Sequence, residues 1–209
     1  AFATFVASGQ TCIMGARVLV HANVYDKFMS ALVEKVNRIK LGHPLDMECQ
    51  MGPVISENSR QRIKQMVDEA VEQGAAVLTG GDIPEMPPPL EKGYYYSPTI
   101  LRVTTEMDIW HDEVFGPVLV AVPFQSEEEA IALANDSPFG LAAAVWTKDA
   151  MRGHRVADKL NVGIIWINDH HRNDPSSPWG GMKDSGIGRE NGLSALHEYT
   201  QTKSVVVRT

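Results

Sequence analysis

VLVAVPFQSEEEAIALANDSPFGLAAAVWTKDAMRGHRVADKLNVGIIWIN, residues 118–168, decides the fold class. VLVAVP (118–123) is a continuous apolar run, the pattern of a strand covered on both faces. Ser126 and Glu129 then form a capping-box pattern that opens a helix through Asn135. AAAVWT reads as a second buried strand, Asp149 caps a helix to about Leu160, and GIIWIN reads as a third buried strand. Apolar strands alternating with helices imply an α/β fold: an open, largely parallel sheet with flanking helices.

The same alternation extends upstream. RVLVH (17–21) is strand-like. Apolar side chains at Val24, Phe28, Ala31, Leu32, Val36 and Ile39 mark one face of a helix running to Lys40. Gly42 and Pro44 stop it. A second helix starts after Ser56 and runs to about Gln73, with Ile63, Met66, Val67, Ala70 and Val71 as its buried stripe and Gly74 as its stop. AAVLTGG and YYYSPTILRV read as strands on either side of the Pro-rich loop IPEMPPPLEKG. No internal repeat is present. The tail KSVVVR (203–208) reads as a strand beyond the last helix that joins a different sheet.

Composition narrows the partners. The chain has 209 residues, 44% apolar and 22% charged, which suits a folded domain. A net charge of -7 argues against nucleic-acid binding by bulk electrostatics. No apolar run approaches the ~20 residues of a membrane span. AFATFVASGQ lacks the basic start of a signal peptide and reads as the inside of a fold, with its apolar residues buried. The two cysteines, Cys12 and Cys49, read as free thiols of a reducing compartment, so a cytoplasmic location is expected.

Chemistry concentrates at Cys12, in Phe5-Val-Ala-Ser-Gly-Gln-Thr-Cys12. A cysteine at the start of a helix has its thiolate favoured by free N–H groups, and a thiolate is the best protein nucleophile for a carbonyl carbon. The alternative is a buried structural cysteine. F-x-x-x-G-Q-x-C resembles the cysteine signature of the aldehyde dehydrogenase superfamily at each defined position. Further along, Asp112-Glu113-Val-Phe115-Gly-Pro117 is similar to its E-E-x-F-G-P segment and Pro138-Phe-Gly-Leu141 to P-x-G-L. Ile165-Trp-Ile-Asn168 resembles its strand ending in Asn, and Pro178-Trp-Gly-Gly-Met-Lys183-Asp-Ser-Gly-Ile-Gly-Arg-Glu190 its P-F-G-G-x-K-x-S-G-x-G-R-E block. The motifs stand in the family's order over nearly the whole chain.

This resemblance implies roles. Cys12 attacks an aldehyde, hydride leaves to NAD or NADP, and a thioester remains for hydrolysis. The Cys12 N–H donates to the oxyanion. Glu113 binds the nicotinamide ribose with Phe115 beside it; outside the motif, Glu113 reads as a solvated acid. Glu190 matches a buried, proton-relaying carboxylate, or else pairs with Arg189 or sits as a helix-start charge. Asn168 matches an active-site Asn, or else caps a strand end. Thr11, Ile13 and Trp179 flank the aldehyde. Trp179 replaces the commoner Phe and can bind a cationic tail, stack on an aromatic one, or fill space.

Asp169-His170-His171-Arg172-Asn173-Asp174 is the segment richest in metal-ligand types. Adjacent histidines point to opposite sides of a strand, and no Cys or His completes a ligand spacing, so a polar loop and no metal are expected. The family's general-base Glu, oxyanion-hole Asn and Gly-rich phosphate loop find no match in these residues. The expectation is therefore a catalytic portion spanning 1–190 that is inactive alone and binds no cofactor by itself, with 191–209 as a helix, turn and oligomerisation-type strand. In the full-length enzyme a homodimer or homotetramer is implied. The reading from another class is a non-catalytic remnant that acts as an interaction module. A thioesterase-like activity of Cys12 alone is a third.

Overall fold

The computed structural model describes residues 1–209, which divide into two compact units, Ala1–Asp136 and Ser137–Thr209. The first begins with a short helix, α1 (Phe2–Phe5), followed by β1 (Arg17–His21), α2 (Tyr25–Val36), α3 (Glu57–Glu72), β2 (Ala76–Thr79) and β3 (Thr99–Arg102). A one-turn helix, α4 (Asp108–His111), then leads to β4 (Val118–Phe124) and α5 (Glu127–Asn135). Its sheet has the order β1-β4-β3-β2. β4 lies parallel to both β1 and β3, with Arg17 opposite Val120 and Thr99 opposite Val118, while β2 closes the edge antiparallel to β3.

The apolar run at β4 is the hub of this sheet because both of its faces are covered. Side chains alternate along a strand. Val118, Val120 and Val122 accordingly join Ile63, Val67 and Ala70 of α3, together with Trp110, in one core. Leu119 and Ala121 join Tyr25, Met29, Leu32 and Val36 of α2 in the other. Caps set the helix ends. Ser56 accepts from the Ser59 N–H and Ser126 from the Glu129 N–H, as their positions before the helices dictate.

Several expectations are corrected here. The α2 stripe is Tyr25, Met29, Leu32 and Val36, while Val24 and Phe28 are 52% and 44% exposed. Leu32 and Val36 of the expected face are buried, and Tyr25 and Met29 complete the stripe in place of Val24 and Phe28. The helix also ends at Val36 instead of Lys40. Val71 of α3 is exposed. Strand β3 begins only at Thr99, because Pro98 has no N–H to give a ladder. In the first segment Phe5 is buried but Phe2 is exposed.

The second unit holds β5 (Phe139–Gly140), β6 (Ala142–Val145), α6 (Ala150–Lys159), β7 (Ile164–Ile167), β8 (Met182–Lys183) and a one-turn helix, α7 (Ala195–Glu198). β6 and β7 pair in parallel across the α6 connection, and β5 pairs with β8 antiparallel. Asp149 caps α6 by accepting from the Arg152 N–H. The β6 and β7 side chains are half-buried apart from the buried Trp166. The strand expected at 203–208 is absent: residues 200–209 carry neither helix nor strand and are exposed. A strand exists only through a ladder, and nothing in the chain pairs with this segment.

Candidate active site

The turn that carries Cys12 is bent by three successive left-handed residues, Ala7 (φ 50°), Ser8 (φ 56°) and Gly9 (φ 68°). Glycine takes this conformation freely, but Ala7 and Ser8 each store ~1–2 kcal/mol in it. Specific bonds hold the turn in place. Ser8 Oγ donates to Gly52 O at 2.9 Å, and Gln10 Oε1 accepts from the Ile55 N–H at 2.9 Å. On the far side, Thr4 Oγ1 donates to Gly15 O at 2.8 Å. Gln10, singled out in the sequence only as part of a signature, thus joins Ser8 in tying the Cys12 turn to the 52–55 segment.

Cys12 itself is exposed, and no disulfide links it to Cys49. It does not start a helix, contrary to expectation: residues 11–13 form a turn and β1 follows at Arg17. The turn is closed by Gln10 N–H donating to Ala7 O and Met14 N–H donating to Thr11 O, neither of which uses the Cys12 N–H. Thr11 and Ile13 flank it, half-buried.

The second motif of this unit lies directly against that turn. A Cβ placed on Gly9 would stand 2.1 Å from Gly116 O and 2.8 Å from Pro117 N, so only glycine permits the approach. Gly116 is equally confined on its other side, where a Cβ would lie 2.4 Å from Ile63 Cδ1. Phe115, just before it, is left-handed (φ 47°) and 37% exposed. Glu113 is exposed, whereas Val114 between them is buried and anchors the segment. The guanidinium of Arg62 reaches over from α3, donating to Val114 O at 2.5 Å and to Glu113 O at 3.4 Å. Nothing local marks Arg62 beyond its place beside the buried Ile63.

In the second unit, Trp179 and Glu190 are locked together by a two-way backbone bridge, each N–H donating to the other's carbonyl at 2.7 Å. Trp179 meets Trp166 edge-on, with ring centroids 6.5 Å apart. Glu190, expected as a buried carboxylate, is exposed in the chain. It does not pair with Arg189, whose guanidinium donates instead to Gly181 O and Gly188 O at 2.7 Å. Asn168 (φ 57°) has both halves of its amide engaged with one residue: Oδ1 accepts from the Thr147 N–H and Nδ2 donates to Thr147 O, both at 2.8 Å. That is a strand-end tie between β6 and β7.

His170 and His171, expected as part of a polar loop, form a pair. Their Nδ1 atoms are 2.7 Å apart, in hydrogen-bond contact, and the His170 ring lies 4.9 Å from that of Trp166. Burial, reinforced by the neighbouring His171, pushes the His170 imidazole down to about 4. Both Nδ1 atoms are committed to each other, which argues against their use as ligands to one ion.

The fold, the exposed thiol in a strained turn and the adjoining Glu113–Pro117 segment together define an aldehyde dehydrogenase framework. The aldehyde dehydrogenase family model matches residues 1–205, and the chain belongs to that family. It is 46% identical over 208 residues to a betaine aldehyde dehydrogenase of Bacillus subtilis, covering 99% of this chain and 42% of that one. A Brucella anthropi betaine aldehyde dehydrogenase is 43% identical over 204 residues, covering 97% of this chain and again 42% of the relative. The chain thus spans about two-fifths of the length of these relatives. Among solved structures, a betaine aldehyde dehydrogenase from Staphylococcus aureus in complex with NAD+ superposes with a TM-score of 0.91 at 45% identity, covering 94% of this chain and 39% of that one. A putative aldehyde dehydrogenase from Burkholderia cenocepacia gives 0.95 at 42% identity, over 98% and 42% of the two chains. No helix is long and apolar enough to cross a membrane.

Proposed function

We propose that this chain supplies the nucleophile and part of the cofactor contact of an enzyme that oxidises an aldehyde to a carboxylic acid with NAD(P)+. The observation that carries this reading is the contact of Gly9 on Gly116, which sets the exposed Cys12 turn against the Glu113–Phe115 segment. Cys12 Sγ adds to the carbonyl carbon, and the π electrons move to the oxygen. The unused Cys12 N–H donates to that oxyanion, a fixed dipole aimed at developing charge. A nicotinamide, when bound, would accept the hydride lost from that carbon as the carbonyl re-forms, which leaves a thioester on Cys12. Water then cleaves the thioester left on Cys12, releasing the acid and the thiol.

Glu113 and Phe115 fit that cofactor. An exposed carboxylate offers paired acceptors for the two hydroxyls of a ribose, and a partly exposed ring offers a flat apolar neighbour. Thr11, Ile13 and Trp179 are assigned to the aldehyde side of the site, Glu190 to proton transfer during thioester cleavage, and Asn168 to a position near the substrate. The relatives' names favour a trimethylammonium aldehyde, and the Trp179 ring suits such a cation. The test is NAD+- or NADP+-dependent oxidation of betaine aldehyde by the protein carrying this chain, before and after Cys12→Ala. Unchanged turnover in Cys12→Ala sinks the reading.

A second, compatible reading rests on the tail. Val205, Val206 and Val207 are 76%, 90% and 77% exposed in a segment that pairs with no strand. Such a segment can add as a strand to the sheet of another copy, giving a homo-oligomer. Light scattering with and without Val206→Lys distinguishes this from a tail that pairs with nothing.

A further inference from the structure

We propose that Arg62 is a positioning residue for the cofactor-contact segment, a role that rests on the assignment of Glu113 and Phe115 to the cofactor. Helix α3 grips residues 113–116 through two adjacent side chains. Ile63, fully buried, lies against Gly116 so closely that a Cβ there would fall 2.4 Å from Ile63 Cδ1. Arg62 spans two consecutive carbonyls, Glu113 O at 3.4 Å and Val114 O at 2.5 Å. One guanidinium on two successive carbonyls fixes the orientation of two peptide planes, because its donors are held in a rigid fork.

The second of those planes is the peptide that enters Phe115, where the backbone turns left-handed at φ 47°. A phenylalanine does not hold that conformation without outside support. The planes on either side also set where the Glu113 carboxylate and the Phe115 ring point. The Arg62 side chain is itself steadied by Met66 one turn on, whose Sδ lies 3.2 Å from its guanidinium nitrogen. Arg62 therefore acts through the backbone of the segment. The nucleophile turn is held by separate bonds, from Ser8 and Gln10.

Three forms of the protein carrying this chain test the proposal: wild type, Arg62→Met and Arg62→Lys. The measurements are hydrogen exchange at residues 112–117, NAD+ affinity by calorimetry, and the rate of Cys12 alkylation. Arg62→Met keeps an apolar stem of similar length but has no donors. Its amides at 113–116 exchange about tenfold faster and its NAD+ Kd rises about tenfold, as expected for the loss of one ordinary hydrogen bond, to Val114 O, and one longer one, to Glu113 O. Cys12 alkylation stays within about twofold of wild type by the same reasoning, since its own anchors remain. Arg62→Lys, a single point donor, falls between the two. Unchanged exchange at 113–116 in Arg62→Met, with helical circular dichroism retained, overturns the positioning role. Faster exchange with unchanged NAD+ affinity overturns its link to the cofactor. A wild type that binds no NAD+ refutes the functional assignment instead, and the exchange comparison still decides what Arg62 does.

Discussion

Gly9 and Gly116 meet backbone to backbone: a methyl group on Gly9 would stand 2.1 Å from the Gly116 carbonyl oxygen. This one contact joins two sequence motifs more than a hundred residues apart, the turn that presents Cys12 and the segment that presents Glu113 and Phe115. It makes Gly9→Ala a sharp test. Alanine would add a clash to a left-handed φ of 68°. The left-handed cost is ~1–2 kcal/mol and overpacking adds typically ~1–3 kcal/mol. We expect a thermal midpoint lowered by several degrees and a large loss of activity. A variant with wild-type stability and activity would show that the two segments can separate freely.

The two cysteines differ in setting, so limiting iodoacetamide should discriminate between them. Cys12 is exposed in a strained turn, whereas Cys49 is partly covered and lies against Gly42, with Cys49 Sγ 3.5 Å from where a Gly42 Cβ would be. Access of the reagent to the sulfur governs such a reaction. Peptide mapping should find Cys12 modified first. Preferential labelling of Cys49 contradicts the assignment of Cys12 as nucleophile.

Stability should fall on mild acidification. The folded state holds His170 at about 4, below the ordinary imidazole value of 6.5, chiefly through burial. The unfolded chain therefore binds more protons between these values, and stability rises with pH across that window. His171 is lowered in the same direction by its own burial. The contribution is complete above pH 6.5 and is lost as pH drops toward 4. Denaturant midpoints measured from pH 7 to pH 4 should decline less steeply in His170→Phe, which cannot titrate. Identical slopes in the two proteins would falsify the attribution.

Trp179 should select among substrates. Its backbone is pinned to Glu190 on both sides and its ring leans on Trp166, so its position is fixed. Trp179→Ala removes any cation–π contact, worth ~0.5–2 kcal/mol depending on desolvation. At ~1.4 kcal/mol per decade the upper figure is more than tenfold in kcat/KM. The loss should fall on betaine aldehyde or benzaldehyde and spare propanal, which is too short to reach the ring. Equal losses on all three would mean that Trp179 packs its loop and does not read the substrate.

The α/β class, the sheet hub at 118–124 and the caps at Ser56, Ser126 and Asp149 were legible in the sequence. Each depends on local periodicity or on a side chain that bonds within three residues of itself, and such interactions are written in neighbouring letters. The motif residues Cys12, Glu113 and Phe115 were equally visible, as a pattern of types at fixed spacing. What the pattern could not say is why Gly9 and Gln10 belong to it. Their partners, Gly116 and Ile55, are distant in the chain and come near only in the folded structure.

Tertiary structure alone decided the rest. On α2, Tyr25 and Met29 are buried and Val24 and Phe28 are not, because the side chains they meet, Leu119 and Ala121 of β4, come from far along the chain. Cys12 had the look of a helix start, yet the chain continues from its turn into β1 because Arg17 pairs beside Val120. The valines at 205–207 have the composition of a strand but no ladder, since pairing needs a second backbone that this chain does not offer them. Arg62 carries no distinguishing local signal, and the strand-end place of Asn168 does not name its partner, Thr147. Their roles come from carbonyls and amides that the fold delivers from elsewhere, and propensity and periodicity do not encode long-range hydrogen bonds.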